Sequence, residues 1–126
     1  MYRKLFYFLL AIALLAPGIA GAVIEEDFQV RTTGDLIDLC TTPPGDPRYE
    51  EAIHFCHGYL IGAFHYYRAT RSGPEAVQLV CFPDPPPTRN EAIEMFIKWT
   101  KAHPQYINEL PVETQFRFMM EKWPCK

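Results

Sequence analysis

Residues 48–69 read RYEEAIHFCHGYLIGAFHYYRA. After the acidic pair Glu50 and Glu51, apolar side chains dominate: Ala52, Ile53, Phe55, Cys56, Tyr59, Leu60, Ile61, Ala63 and Phe64. No proline interrupts the run, and it is far longer than an ordinary strand of about 5–6 residues. The stretch reads as a helix. Its apolar residues nearly surround it, which predicts a central helix covered by its neighbours. Gly58 and Gly62 lie four apart on one face. Each costs about 1 kcal/mol of helix stability relative to Ala. The expected compensation is close approach of another backbone at that face.

Working outward, three further helices flank this one. Thr32 with Asp35 three residues on forms a capping box for a short helix carrying Leu36, Ile37, Leu39 and Cys40. Three prolines and Gly45 between Thr41 and Pro47 end it. Downstream, Thr70 to Pro87 is a long connection in which Val77 to Phe82 suits a short extended piece. Pro83, Pro85, Pro86 and Pro87 make a stiff turn that cannot be helix interior. Thr88 and Glu91 open the third helix as a second capping box. Ala92, Phe96, Trp99 and Ala102 follow at helical spacing, and His103-Pro104 stops it. Pro111 introduces the fourth helix, whose apolar stripe is Val112, Phe116, Met119, Met120 and Trp123. The fold class is therefore all-α, a small bundle of about four helices.

Four cysteines, Cys40, Cys56, Cys81 and Cys125, are spread through this pattern with no Cys-x-x-Cys pair. Two structural disulfides are expected, and three connectivities are open. A short linker makes the third and fourth helices antiparallel neighbours. That arrangement brings Cys81, just before the third helix, towards Cys125, just after the fourth. A hairpin of the first two helices would join Cys40 to Cys56. The helices thus favour Cys40–Cys56 with Cys81–Cys125, against a nested alternative of Cys40–Cys125 with Cys56–Cys81.

The compartment follows from the chain's opening. Arg3 and Lys4 precede an uncharged apolar run, Leu5 to Ala16, broken by Pro17-Gly18 and followed by Ala20-Gly21-Ala22. This is the pattern of a signal peptide, residues 1–22, cleaved after Ala22. The apolar run is short for a span of about 20 residues. Cleavage leaves one helical domain, residues 23–126. It also removes two of the twelve basic residues and none of the fifteen acidic ones, so the mature charge is −5. An acidic surface argues against nucleic acid and against anionic lipid, and no membrane association is expected after cleavage.

Catalytic chemistry finds little purchase. Ser72, in the turn Arg71-Ser72-Gly73-Pro74, has no nucleophile-elbow context. An even cysteine count in an exported chain leaves no activated thiol. His54, His57 and His65 stand at i, i+3 and i+11 on the long helix. Only the first two are close enough to share an ion, and a two-ligand site is weak. Neither a metal nor a cofactor is expected. The aromatic residues on the helices read as core, except that Tyr66 and Tyr67 cannot both face inward.

The set of motifs has a family likeness. Thr33-Gly34-Asp35-Leu36-Ile37 leads into Cys40; Cys56-His57-Gly58-Tyr59-Leu60-Ile61-Gly62-Ala63 follows; then come Cys81-Phe82-Pro83, His103-Pro104 and a closing Trp123-Pro124-Cys125. This order, from Thr32 to Cys125, resembles the Rap/Tai family of periplasmic immunity proteins. Characterised members protect bacteria against peptidoglycan amidases injected by type VI secretion. The resemblance implies an all-helical, disulfide-linked, non-enzymatic binder that occludes a toxin's active site, and it also implies a homodimer. Exposed irregular segments are the expected contacts, with Pro83, Asp84, Pro85, Pro86 and Pro87 first among them. Two other readings fit the composition: a periplasmic acid-stress chaperone of the HdeA kind, and a histidine-based metal-binding protein.

Overall fold

A computed structural model of the protein describes residues 22–126. The expected leader lies outside the described residues, Ala22 excepted. Four helices carry the fold: α1 (Thr33–Cys40), α2 (Tyr49–Thr70), α3 (Arg89–Ala102) and α4 (Pro111–Lys122). Short 3-10 turns at Glu25–Gln29 and Pro104–Tyr106 precede α1 and α4. Among the described residues there is no strand, only an isolated antiparallel bridge between Val80 and Pro124. The all-α bundle anticipated from periodicity is the fold observed.

The helix starts follow the local chemistry read from the sequence. Thr32 Oγ1 accepts from the Asp35 N–H at 3.2 Å, while the Asp35 carboxylate accepts from the Thr32 N–H at 3.1 Å. Thr88 and Glu91 make the same reciprocal pair, at 3.3 and 2.8 Å. Each box satisfies backbone donors that the first helical turn would otherwise leave open. Pro111 takes the first position of α4, where a missing N–H costs nothing.

Both favoured disulfides are present. Cys40–Cys56 joins the end of α1 to the first half of α2, with Cα atoms 5.2 Å apart. Cys81–Cys125 ties the chain ahead of α3 to the chain after α4, with Cα atoms 4.9 Å apart. No cysteine among the described residues is free. In the chain-entropy account each link contributes about 3–4 kcal/mol by restricting the unfolded chain. A domain of this size has a modest core, so two such links are a large share of its stability.

Packing between α1 and α4 rests on polar groups as well as apolar ones. The α1 N–H groups of Thr33 and Gly34 donate to the carbonyls of Glu109 and Ile107, both at 2.8 Å. The hydroxyls of Thr33 and Thr114, both fully buried, lie 2.8 Å apart and share a hydrogen bond. The carbonyls of Glu109 and Tyr106 stand beside them as acceptors at 3.0 and 3.4 Å. Gly34 lies at this contact, where a Cβ would sit 3.4 Å from Ile107 Cγ1, an ordinary van der Waals distance.

The position expected for α2 is not the one observed. It buries a single face, Ala52, Cys56, Leu60 and Tyr67, against α1 and α4. Its other side is open, with Tyr66 74% exposed and Phe55 37% exposed. Gly58 and Gly62 lie on that open side, and a Cβ at either would meet nothing within 4 Å. No backbone approaches them, so the expected compensation is absent. Three short neighbours have only enough surface to cover one face of a 22-residue helix. The stripe expected for α4 is also turned. Val112 and Met120 are exposed, while Thr114, Gln115, Phe118 and Met119 are buried. Buried hydrogen bonds of Thr114 and Gln115 draw those polar side chains inward, and periodicity of apolar residues alone cannot reveal that. Tyr67 is buried and Tyr66 exposed, as their adjacency requires.

With open space at both glycines, helix propensity decides the effect of a methyl group. Gly58→Ala and Gly62→Ala should each stabilise the fold by about 0.5–1 kcal/mol, read as a higher urea midpoint at unchanged slope. A fall in both midpoints would show that the face is covered in solution.

Candidate functional site

The irregular stretch between α2 and α3 is held to the bundle at a few points. Tyr67, near the end of α2, is buried. Its hydroxyl oxygen accepts from the backbone N–H of Leu79 at 2.8 Å and of Val80 at 3.2 Å. The Gln78 amide donates to the Arg71 carbonyl at 2.8 Å, and the Arg71 guanidinium donates to the Val77 carbonyl at 3.0 Å. These bonds give an 18-residue connection, 71–88, the fixed course that its composition does not supply. Cys81 is then secured twice, by its disulfide and by its N–H donating to the Trp123 carbonyl at 2.8 Å.

From that anchor the chain turns outward. Pro83, Asp84, Pro85 and Pro86 are exposed, Pro87 is half-buried, and the Asp84-Pro85 peptide is cis. The loop is thus a projecting, proline-stiffened segment between a disulfide and the cap of α3. Thr88 holds the Glu91 carboxyl below the ordinary carboxylate range, through its hydroxyl first and its N–H second. A depressed folded-state pKa makes this cap effective above the unfolded value. The contribution is lost as pH falls through the folded value, so acid loosens the end of the loop.

Behind the loop lies a cavity of about 450 Å³, walled by α2, α3, α4 and the proline segment. Such a volume falls within the range of ligand sites. Its floor is aromatic. Phe64 meets Phe82 edge-on with centroids 5.5 Å apart, Phe82 lies 4.6 Å from Trp123, and Phe96 lies 5.8 Å from Phe118. Gln115 reaches the cavity from α4, and its Nε2 donates to the Leu60 carbonyl at 2.8 Å. Its Oε1 is buried with no hydrogen-bond partner. Arg68, Arg89 and His65 stand on the rim, all exposed. No carboxylate and no thiol lines the cavity. The arrangement suits binding of a partly apolar group.

The histidines do not come together. His54 and His65 are exposed and His57 is half-buried along α2. Among the described residues, no three His, Cys, Asp or Glu side chains form a group able to hold a metal ion. The proline segment was legible from composition, but the cavity behind it was not. Gln115 carried one signal, a polar residue four positions from both Pro111 and Met119 on the inner face of α4.

A family model described as Rap1a immunity proteins matches residues 32–125 of this chain. No curated protein and no solved structure matches it.

The Tyr67 hydroxyl is the removable part of the loop's support. Tyr67→Phe should destabilise the domain by about 1–3 kcal/mol, because the N–H groups of Leu79 and Val80 lose their acceptor. Hydrogen exchange should quicken at those two amides while α1 amides keep their protection. Unchanged exchange at both would remove the hydroxyl from the loop's anchorage.

Proposed function

The chain belongs to the family of Rap1a immunity proteins, and from that premise we propose that it neutralises a peptidoglycan-cleaving amidase delivered by type VI secretion. The proposed mode is stoichiometric occlusion, with no turnover by the immunity protein itself. The observation that carries this reading is the family match over nearly the whole helical domain. The projecting segment Pro83 to Pro87 is the proposed contact. Prolines lose little conformational entropy on docking, and the segment begins two residues after the Cys81 anchor.

The site of action in this reading is the periplasm, reached by cleavage after Ala22. One contact supports that cleavage point. The Val23 nitrogen lies 3.2 Å from Asp46 Oδ2, and the Val23 side chain is nearly buried, at 9% exposure. Cleavage after Ala22 would turn this amide into an ammonium, charged at neutral pH, facing a carboxylate. Charge-assisted hydrogen bonds are roughly twice as strong as neutral ones. Asp46 Oδ1 also accepts from the Arg48 N–H at 2.8 Å, at the start of α2.

Two experiments test the reading. In co-expression with a candidate amidase directed to the periplasm, the wild-type protein should restore growth and bind the enzyme one to one. Replacing 83–87 by Gly and Ser should weaken binding at least about tenfold, and Asp84→Arg should do so with the loop otherwise intact. Failure of the wild type to bind or protect against any amidase tested, including one encoded beside it, would overturn the amidase assignment.

The second concerns processing. Intact mass of protein purified from the periplasm should correspond to a chain beginning at Val23 with no free thiol. Asp46→Asn should cost that chain about 1 kcal/mol, and less in a chain that retains residues before Val23. A start elsewhere would remove the cleavage proposal.

A further inference from the structure

We infer that the cavity behind the proline loop binds one monomeric, single-chain anionic amphiphile of the fatty-acid kind, with its hydrocarbon tail in the cavity and its head on Arg68 and Arg89. The inference goes beyond the toxin reading and does not depend on it.

The interior selects hydrocarbon. Helices α2 and α3 each pack on α4 and hardly on each other, so a cleft stays open between them. The side chains that a guest can reach there are the half-buried ones, Ile61, Phe64, Phe82 and Ala92, and all are apolar. The polar groups of the deeper wall are already engaged or out of reach. The Tyr67 hydroxyl oxygen accepts from the N–H groups of Leu79 and Val80. Gln115 Nε2 is held by the Leu60 carbonyl, and Gln115 Oε1 is buried away from any guest. A peptide backbone or a sugar would bring N–H, C=O or O–H groups into this space and leave them unpaired, at a cost. A hydrocarbon chain brings none, and it gains with every methylene that leaves water. A volume of about 450 Å³ is near the lower end for ligand sites, which suits one chain rather than two.

The mouth selects the head. Arg68, near the end of α2, and Arg89, the first residue of α3, are exposed on the rim. Neither makes a salt bridge among the described residues. Thr88 and Arg89 also bring the N-terminus of α3, with its partial positive charge, to the same rim. The described residues carry every one of the chain's fifteen acidic side chains, yet none lines this cavity. The mouth is thus locally positive on an acidic protein. That contrast separates two sources of the same chemistry. A bilayer surface meets the acidic exterior and is repelled, whereas a single molecule meets only the mouth, because charges beyond about 8 Å are screened at physiological salt.

The test uses the mature protein at pH 8 with decanoate, octanoate, decanol and decyltrimethylammonium, each below the concentration at which it forms micelles. Decanoate, followed by calorimetry and by the resonances of Ile61, Phe64 and Ala92, should bind one to one with Kd at or below about 0.1 mM. Octanoate, two methylenes shorter, should bind about tenfold more weakly. Decyltrimethylammonium should bind at least about tenfold more weakly than decanoate, and added salt should narrow that gap. Arg68→Gln combined with Arg89→Gln should lower decanoate to the affinity of decanol and leave decanol unchanged, which also shows that the cavity is intact. Ala92→Trp, which narrows the cleft, should weaken every probe. The protein should not sediment with phosphatidylglycerol vesicles.

No saturable shift at the three lining residues with decanoate overturns the proposal. Equal affinity of wild type for decanoate and decyltrimethylammonium overturns it as well, without relying on any variant. Sedimentation with the vesicles would give the site to a bilayer. Tighter binding of acetyl-Glu-Leu-Leu-Asp-amide than of decanoate would give it to a protein partner, and self-association lost in Ala92→Trp would give it to a second copy of this chain. Each of those three results also overturns the proposal.

Discussion

The open end of this bundle depends on where Cys81 is held. Its sulfur is bonded to Cys125, and its N–H donates to the Trp123 carbonyl. Those two attachments fix the exit of the long connection, the root of the proline loop, and the position of Trp123 over Phe82. The link closes a loop spanning 44 residues, which contains the proline segment, α3 and all of α4. Restricting the unfolded chain over that length stabilises the domain, but the local consequence matters more for function. A projecting loop and a cavity wall are placed together by one covalent bond.

The other disulfide does a different task. Cys40–Cys56 holds α1 against α2 at a point where both are buried, and leaves the rest of α2 to be covered by whatever reaches it. Only one face is reached. The opposite face, with Phe55, Gly58, Gly62 and Tyr66, stays open, and the glycines there carry the entropic cost of a flexible backbone with no packing in return. Gly34, in the first turn of α1, does have neighbours at contact distance. There the 107–109 backbone comes near enough to accept hydrogen bonds from the helix N-terminus.

Polar groups inside the domain divide into two kinds. Thr33, Thr114 and Tyr67 are buried and paired, and each fixes one segment of chain against another. Buried pairs of this kind specify an arrangement because leaving either member alone costs more than the bond gains. Gln115 is half-paired, with its donor used and its acceptor open, at a cavity with positive charge on its rim.

The amino-acid sequence by itself determined the helices and their starts, because capping boxes at Thr32 and Thr88 and prolines at helix boundaries act over four residues. It favoured the observed pairing of the cysteines through the short α3–α4 linker without closing the nested alternative, and it determined the exposure of Pro83 to Pro86, since a proline run has no helical alternative. Only the tertiary structure decided which face of α2 is buried, which residues of α4 point inward, and that a cavity lies behind the loop. The reason is physical. An apolar stripe identifies a face able to be buried, but its burial depends on the area of the neighbouring elements. The inward turn of Thr114 and Gln115 depends on Thr33 and Leu60, 81 and 55 residues away, whose groups supply their hydrogen-bond partners.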